Sequence, residues 1–418
     1  MCSAYKDYGV VRKVNRLSML KGRRKFWLDV HLYLGLSLGL ILAVIGLTGS
    51  ILVFWTEIDE WLNSEMLIVS TPNEYGINYR PLQEIFTTAE AVRPPDAKLY
   101  AVIYPRNNDT VFCFWYKAKT KPDEDQTYPN IFVNPYTAKV TGMRNFYASI
   151  NPLKINRSTL MGFIFNLHYR FLFGEAGIFI IGILSVFFII SVFTGLILWW
   201  PLTGKWRQAL SLKRNASPER FNFDLHKTFG FYSTIVLLAV LFSGFSMNLG
   251  EEFKWLVERF SPVTDPFSMN STRRPDELPL SPASIAEIMT NKKGEGRLHG
   301  FYMPSEETGV YVFEHKEIPS LSRFVIDTRK FSVDQFTGKI LHVADPITGS
   351  AGDVFTQWQW PLHSGQAFGW TGRILVFLSG LACPVLFVTG VIRWLQKRNA
   401  YRSHKSRQPG KAQSIINP

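Results

Sequence analysis

The segment from Arg23 to Trp55 reads RRKFWLDVHLYLGLSLGLILAVIGLTGSILVFW. A basic, aromatic lead gives way at His31 to an unbroken apolar run, Leu32–Trp55, long enough to cross about 30 Å of hydrocarbon as a helix. Three more such runs follow: Gly177–Trp200, Phe229–Leu249 and Arg373–Leu395. In lipid only helices and closed barrels satisfy their own backbone, and these runs are continuous rather than alternating. The expected class is an α-helical membrane protein with four transmembrane helices. The first run is too long for a cleavable signal, and Trp55-Thr56-Glu57 follows it instead of a small-residue cleavage site.

Four of the eight histidines stand at the ends of these runs. His31 opens the first and His226 the third, while His168 lies just ahead of the second and His363 just ahead of the fourth. Neighbouring spans alternate in direction, so His31 and His226 are expected on one side of the membrane and His168 and His363 on the other. An imidazole in or beside lipid is costly and is by default a functional-site candidate. Two facing pairs suggest two stacked redox centres, each iron taking one imidazole from either side of a haem. On an ideal helix Gly35, Gly39, Gly46 and Gly49 fall within roughly 80° of His31, and Gly230 and Gly244 lie on the His226 face. These glycines give a porphyrin room or else mark close helix packing. Phe165, Tyr169, Phe171 and Phe173 surround His168, and Trp358, Trp360, Phe368 and Trp370 surround His363. Such aromatics also suit a headgroup belt. Arg170, Lys227 and Arg373 are candidate partners of haem propionates, with interfacial anchoring as the alternative. His299, His315 and His342 have no matching histidine in the other half of the chain and read as surface residues. No catalytic residue is expected beyond the haem ligands.

Charge sets the orientation. Residues 1–25, 201–225 and 396–418 together hold nineteen Lys/Arg against three acids, a net +16 in a chain of net +13. By the positive-inside rule these segments are cytoplasmic, and the large segments between spans face outward. Confinement of the basic residues to the span flanks makes topology, not nucleic acid, their explanation. Cys2, Cys113 and Cys383 are the only cysteines, and Cys113 alone lies in an outer segment, so no intrachain disulfide is expected there. No Cys-x-x-Cys occurs, which argues against an iron–sulfur centre or covalently attached haem. Hydrolysis and phosphoryl transfer have no visible motif. The spans contain no Asp or Glu, which counts against proton-coupled transport.

His226 follows His31 by 195 residues, and His363 follows His168 by the same number. At that offset Phe26, Asp29, Gly35 and Gly49 match Phe221, Asp224, Gly230 and Gly244. Leu167, Phe173, Gly174 and Gly177 match Leu362, Phe368, Gly369 and Gly372, and Thr194, Gly195 and Trp199 match Thr389, Gly390 and Trp394. The unit is helix, outer domain, helix, used twice in parallel, with sites expected at the repeat interface. Each outer segment reads as α+β. The first has a helix near Pro81–Val92 and strands at Lys98–Tyr104, Thr110–Lys117 and Pro129–Asn134. The second has a helix near Ser281–Lys292 and strands at Arg297–Met303, Gly309–Glu314 and Arg323–Asp327. A strand–turn–strand unit closes each, Phe132–Val140 and Ser332–Ile340, with Asn134 and Ala138 in the first where the second has Asp334 and Gly338.

With these residues the chain resembles the PepSY-associated transmembrane family of iron-regulated membrane proteins over nearly its whole length. The carriers are Arg23-Arg-Lys-Phe-Trp-Leu-Asp-Val-His31, Gly46-Leu-Thr-Gly49, the Val333–Ile340 hairpin, and Thr389-Gly390 with Trp394. The resemblance implies an inner-membrane ferrisiderophore reductase of Gram-negative bacteria with b-type haems; the spacing by itself shows only paired histidines. The expected organisation is a cytoplasmic N-terminus at 1–25, transmembrane helices at 26–57, 166–200, 226–249 and 363–395, periplasmic PepSY-like modules at 58–165 and 250–362, a cytoplasmic loop at 201–225 and a cytoplasmic tail at 396–418. The expected function is electron transfer through two haem b to a periplasmic ferric siderophore, releasing Fe(II) for iron uptake. His31/His226 and His168/His363 are the ligand pairs, and the donor is a quinol or a cytoplasmic reductase. The alternatives are a PepSY protein that binds a peptide or restrains a peptidase without redox activity, and a siderophore or metal transporter.

Overall fold

The computed structural model describes the chain apart from residues 1–2, 73–77, 119–127, 147–154, 202–203, 214, 273–276, 292–295, 319–320, 322–327 and 407–418. The first half runs α1 (Ser3–Leu52), α2 (Trp55–Leu62), α3 (Ser64–Leu67), α4 (Leu82–Ala91), β1 (Ala97–Ile103), β2 (Phe112–Ala118), β3 (Pro129–Val133), β4 (Val140–Asn145), α5 (Leu160–Arg170), α6 (Gly174–Trp199) and α7 (Trp206–Leu210). The second runs α8 (Pro218–Asn248), α9 (Gly250–Glu258), α10 (Pro282–Asn291), β5 (Arg297–Tyr302), β6 (Val310–Lys316), β7 (Arg329–Asp334), β8 (Ile340–Ala344), α11 (Ala351–Gln357), α12 (Gln359–Ser364) and α13 (Gly369–Ser406). The segments Arg23–Leu52, Gly174–Trp199, Pro218–Asn248 and Gln366–Ser403 are long and apolar enough to cross a membrane. The chain divides into two compact units.

The first unit comprises residues 1–50, 182–245 and 374–418. Here α1 and α13 touch backbone to backbone. A Cβ on Gly46 would lie 2.7 Å from the Gly380 carbonyl oxygen, and one on Gly39 would lie 2.7 Å from the Phe387 ring. Ser50 donates its hydroxyl to the Phe377 carbonyl at 2.8 Å. Lipid tails give no hydrophobic drive between helices, so small residues and interhelical hydrogen bonds do the holding. Of the two readings of these glycines, Gly39 and Gly46 follow the packing one. A Cβ on Gly35 would meet no other element within 4 Å among the described residues. Between α6 and α8, Trp199 stacks on Phe231 with ring centroids 3.9 Å apart.

The second unit, residues 51–181 and 246–373, is built on one antiparallel sheet of eight strands in the order β4-β3-β2-β1-β5-β6-β7-β8. Alternation along Phe112-Cys-Phe-Trp-Tyr-Lys-Ala sends Phe112, Phe114 and Tyr116 into the core and Cys113, Trp115 and Lys117 to the other face. The core lies under α4 and α10, where Ile85, Phe86, Ala89, Ile285, Ala286 and Met289 meet the strands. The sequence points to two separate α+β modules; instead their strands form a single sheet. β1 pairs with β5 through Ala101↔Tyr302, Val102↔Phe301 and Ile103↔Gly300. Phe86 of α4 stacks on Phe301 of β5 at 6.2 Å, so the core crosses the seam. Joining two edge strands removes two rows of unpaired backbone groups and buries Val102 and Phe301 completely.

The two closing hairpins share one geometry. Asn134 Oδ1 accepts from the Tyr136 and Thr137 amides, and Asp334 Oδ1 from the Phe336 and Thr337 amides. Ala138 and Gly338 both adopt left-handed φ, 51° and 66°. Burial pushes the Asp334 carboxyl up, but the amides of Thr272, Thr337 and Phe336 outweigh it and hold the group below the ordinary aspartate value. The strand expected at Arg323–Asp327 falls on residues outside those described; the strand of that region is β7.

Candidate functional site

In the first unit His31 on α1 and His226 on α8 face each other with ring centroids 6.2 Å apart and planes inclined at 79°. Each ring is oriented from behind by a threonine on a different span. His31 Nδ1 lies 3.1 Å from Thr194 Oγ1 and 3.0 Å from the Ser191 carbonyl. His226 Nδ1 lies 2.9 Å from Thr389 Oγ1. The hydroxyl proton of Thr194 goes to the Ser191 carbonyl at 2.8 Å, and that of Thr389 to the Val385 carbonyl at 2.6 Å. Both threonine oxygens therefore accept, and the imidazole Nδ1–H donates. That tautomer leaves Nε2 with its lone pair, the form a metal ligand needs. Next to each threonine a glycine gives the ring space. A Cβ on Gly195 would come 3.1 Å from His31 Cε1, and one on Gly390 would come 3.4 Å from His226 Cε1. Gly195 and Gly390, which border the rings, lie on the neighbouring spans α6 and α13. Thr194-Gly195 and Thr389-Gly390 are visible in sequence as repeat matches, but their role depends on which helix lies beside which.

In the second unit His168 on α5 and His363 on α12 bring their ring centroids to 5.9 Å, with planes inclined at 65°. Neither helix continues into a span. Phe171 and Leu172 take left-handed φ of 49° and 65°, Gly174 takes 58°, and α6 starts afresh. Gly365 at 76° and Gly369 at 55° do the same between α12 and α13. A right-handed helix cannot run through such residues. The segment 166–200, expected as one helix, is therefore two, as are 363–395 at its start and 26–57 after Leu52. The span folds back over the end of the histidine helix so closely that a Cβ on Gly177 would lie 1.8 Å from the Arg170 carbonyl oxygen. At the matching joint a Cβ on Gly372 would lie 2.2 Å from the Gly365 oxygen. Asn248 clamps the first joint, donating to the Tyr169 and Ile178 carbonyls at 2.8 and 3.0 Å.

The three cationic candidates are all engaged with the protein. Arg170, 8 % exposed, donates from Nε to Asn166 at 2.7 Å. Lys227 Nζ bonds the Gln208 carbonyl at 2.6 Å and Asp224 at 3.0 Å. Arg373 pairs with Glu57 at 2.6 Å, donates to the Val53 carbonyl and lies 4.8 Å from the Phe54 and Trp370 rings. Of the histidines read as surface residues, His315 is buried and His299 is half-buried. His315 is 5 % exposed and packs edge-on against Phe331. Burial, with Lys316 adding to it, pushes His299 down to about 4. Their strand positions turn them inward, which the lack of a repeat counterpart does not reveal. Among the described residues no three His, Cys, Asp or Glu side chains gather as a metal cage. Each histidine pair offers two nitrogen ligands.

The family model described as the PepSY-associated TM region matches residues 28–397, a stretch that contains all four paired histidines, and the chain belongs to that family. Among curated proteins none matches it. Four apolar helices and this match make it a multi-pass membrane protein.

Proposed function

We propose that this chain is a di-haem oxidoreductase of the bacterial inner membrane that carries single electrons to a ferric siderophore in the periplasm. The observation that carries the reading is the paired imidazoles. Two imidazoles that would share one iron need their rings close together and on separate elements. The two pairs stand at 6.2 and 5.9 Å. Two protein nitrogens per site would suit an iron whose other donors come with the cofactor, as in haem.

His31 and His226 would hold one haem b, and His168 and His363 the other, each pair drawing one ligand from either half of a duplicated chain. Bound there, haem supplies reversible one-electron chemistry at iron. Thr194 and Thr389 keep their histidines in the ligating tautomer and raise their basicity through the Nδ1 hydrogen bond. Arg170, Lys227 and Arg373, bonded to Asn166, Asp224 and Glu57, would meet haem propionates only by exchanging those partners. One electron suffices for the substrate. Hard oxygen donors hold Fe(III) far more tightly than Fe(II), so reduction loosens the complex. The electron donor is a quinol or a cytoplasmic reductase.

Purified full-length protein in detergent should be coloured, with b-type bands in the reduced-minus-oxidised spectrum and about two haems per chain by pyridine haemochrome. Addition of a ferric siderophore to the dithionite-reduced, desalted protein should reoxidise it. A colourless protein that takes up no haem would refute the reading and favour a binding role for the PepSY region.

A further inference from the structure

Two short helices leave the sheet-side ends of the spans. α2 begins at Trp55, just after α1 ends at Leu52, and α9 begins at Gly250, just after α8 ends at Asn248. Both belong to the second unit, together with the adjoining ends of all four spans. They share a pattern of exposure. On α2, Glu57 and Trp61 are exposed while Asp59 and the following Asn63 are buried. On α9, Glu251 and Trp255 are exposed while Phe253 and Val257 are buried. The buried sides have little in common. Asp59 pairs with Arg144 at 2.6 Å, whereas Phe253 stacks on Phe355 at 5.9 Å. Yet each helix displays a tryptophan, Trp61 at 78 % exposure and Trp255 at 58 %, and Phe260 just past the end of α9 stands at 86 %. Tryptophan is highly buried on average. An exposed indole that recurs over unlike internal packing points to a shared environment outside the protein.

We propose that α2 and α9 lie in the headgroup layer of the bilayer, with Trp61, Trp255 and Phe260 inserted among zwitterionic phospholipids. Two contacts set the depth. Glu57 pairs with Arg373 at 2.6 Å, and Asn248 donates to the Ile178 carbonyl at 3.0 Å. Arg373 opens the apolar run of the fourth span, and Ile178 is the second residue of the run that opens at Gly177. Both contacts therefore stand at the edge of the hydrocarbon. Trp61 is one helical turn from Glu57, about 6 Å along the axis, and the headgroup layer is about 5–7 Å deep on either side of the hydrocarbon. The backbone of Trp61 thus stays close to that layer whichever way α2 runs. Trp255 follows the first residue of α9 by about 7.5 Å of helix, a similar distance. The exposed face of each helix is in this way continuous with the lipid contact of the span before it.

The charges fit a zwitterionic interface. All three acids of α2 are paired: Glu57 with Arg373, Asp59 with Arg144 and Glu60 with Arg106. On α9 the Arg259 guanidinium lies 4.5 Å over the Trp255 ring, and Glu251, Glu252 and Glu258 are exposed. Carboxylates at this level suit the ammonium groups of ethanolamine and choline headgroups and repel anionic lipid. An indole is well placed there because its ring meets acyl chains while its N–H meets water or a lipid oxygen. Through Asp59 and Glu57, α2 is tied both to β4 and to the start of α13, so lipid contact at Trp61 steadies the sheet unit where it meets the membrane. None of this depends on haem.

Spin labelling of the full-length protein in nanodiscs of phosphatidylcholine and phosphatidylethanolamine tests it. With Cys2, Cys113 and Cys383 replaced by serine, a nitroxide is attached at Trp61→Cys, at Trp255→Cys or, for reference, at Leu278→Cys, a site 85 % exposed and well beyond α9 in the chain. Oxygen concentrates in lipid and a nickel chelate stays in water. The ratio of oxygen to chelate collisions at positions 61 and 255 should exceed that at 278 several-fold. Equal ratios at the three positions would put the helices in water and overturn the proposal. Exclusion of both reagents from 61 or 255 also overturns it, since a protein partner or a second copy then covers that face. Should the labelled variants fail to fold, brominated phosphatidylcholine decides. It should quench the tryptophan fluorescence of the unlabelled protein by a larger fraction than that of the Trp61→Phe, Trp255→Phe double variant, and equal fractions overturn the proposal.

Discussion

His31 and His226 sit inside uninterrupted helices of 50 and 31 residues, whereas His168 and His363 sit on helices of 11 and 6. The rings of the first pair are steered by side chains, Thr194 and Thr389, each on another span. The helices of the second pair end at left-handed joints that close over Gly177 and Gly372. The two pairs reach similar ring separations on helices of very different length. A long helix resists displacement along its length, so its ligand needs only rotational guidance. A short helix has little hold of its own and must be wedged against the element that follows it.

The largest expected effect comes from the paired histidines. His31→Ala or His226→Ala should halve the haem content by removing the first site alone, and His168→Ala or His363→Ala should remove the second alone. Stoichiometry and the spectrum of the residual haem check this, and loss of both haems from every single variant would break the distinction between the pairs. Next come the joints. Gly177→Val or Gly372→Val forces a side chain into a carbonyl oxygen, costing about 3 kcal/mol or more locally. These variants should lose the second haem and keep the first, although neither residue touches a histidine ring in the contacts described above. Thr194→Val and Thr389→Val keep shape and remove the acceptor, so each should weaken haem binding at the first site by about 10- to 100-fold with the second site unaffected. Haem transfer to apomyoglobin measures that loss. Smallest should be Gly195→Ala and Gly390→Ala, where the added methyl meets a ring carbon at 3.1 and 3.4 Å. Occupancy should survive while the electron paramagnetic resonance signal of the first site shifts, more for Gly195→Ala than for Gly390→Ala.

The four spans and the pairing of the histidines were legible because both depend on long-range regularities: apolar runs of membrane length and a repeated offset. The helix–strand content of the second unit was legible for the same reason, through the alternation at Phe112–Ala118 and the turn chemistry at Asp334–Gly338. What sequence did not reveal was decided by neighbours. The seam between β1 and β5 depends on two edge strands meeting in space. The break after Arg170 falls on Phe171 and Leu172, residues with no preference for left-handed backbone, and tertiary contact at Gly177 imposes it. His315 looked like a surface residue because the register of β6 with β7, not residue type, sets which way it points. Gly39 and Gly46 were open to two readings until Phe387 and Cys383 were found against them.

The three residue pairs of the β1–β5 seam are centred on Val102 opposite Phe301, flanked by Ala101 with Tyr302 and Ile103 with Gly300. Counted at an offset of 199, each strand therefore meets its own counterpart in reverse, so the edge is complementary to itself. Two strands from different halves of the chain serve as the two sides of the joint, and the sheet closes this border without recruiting another molecule.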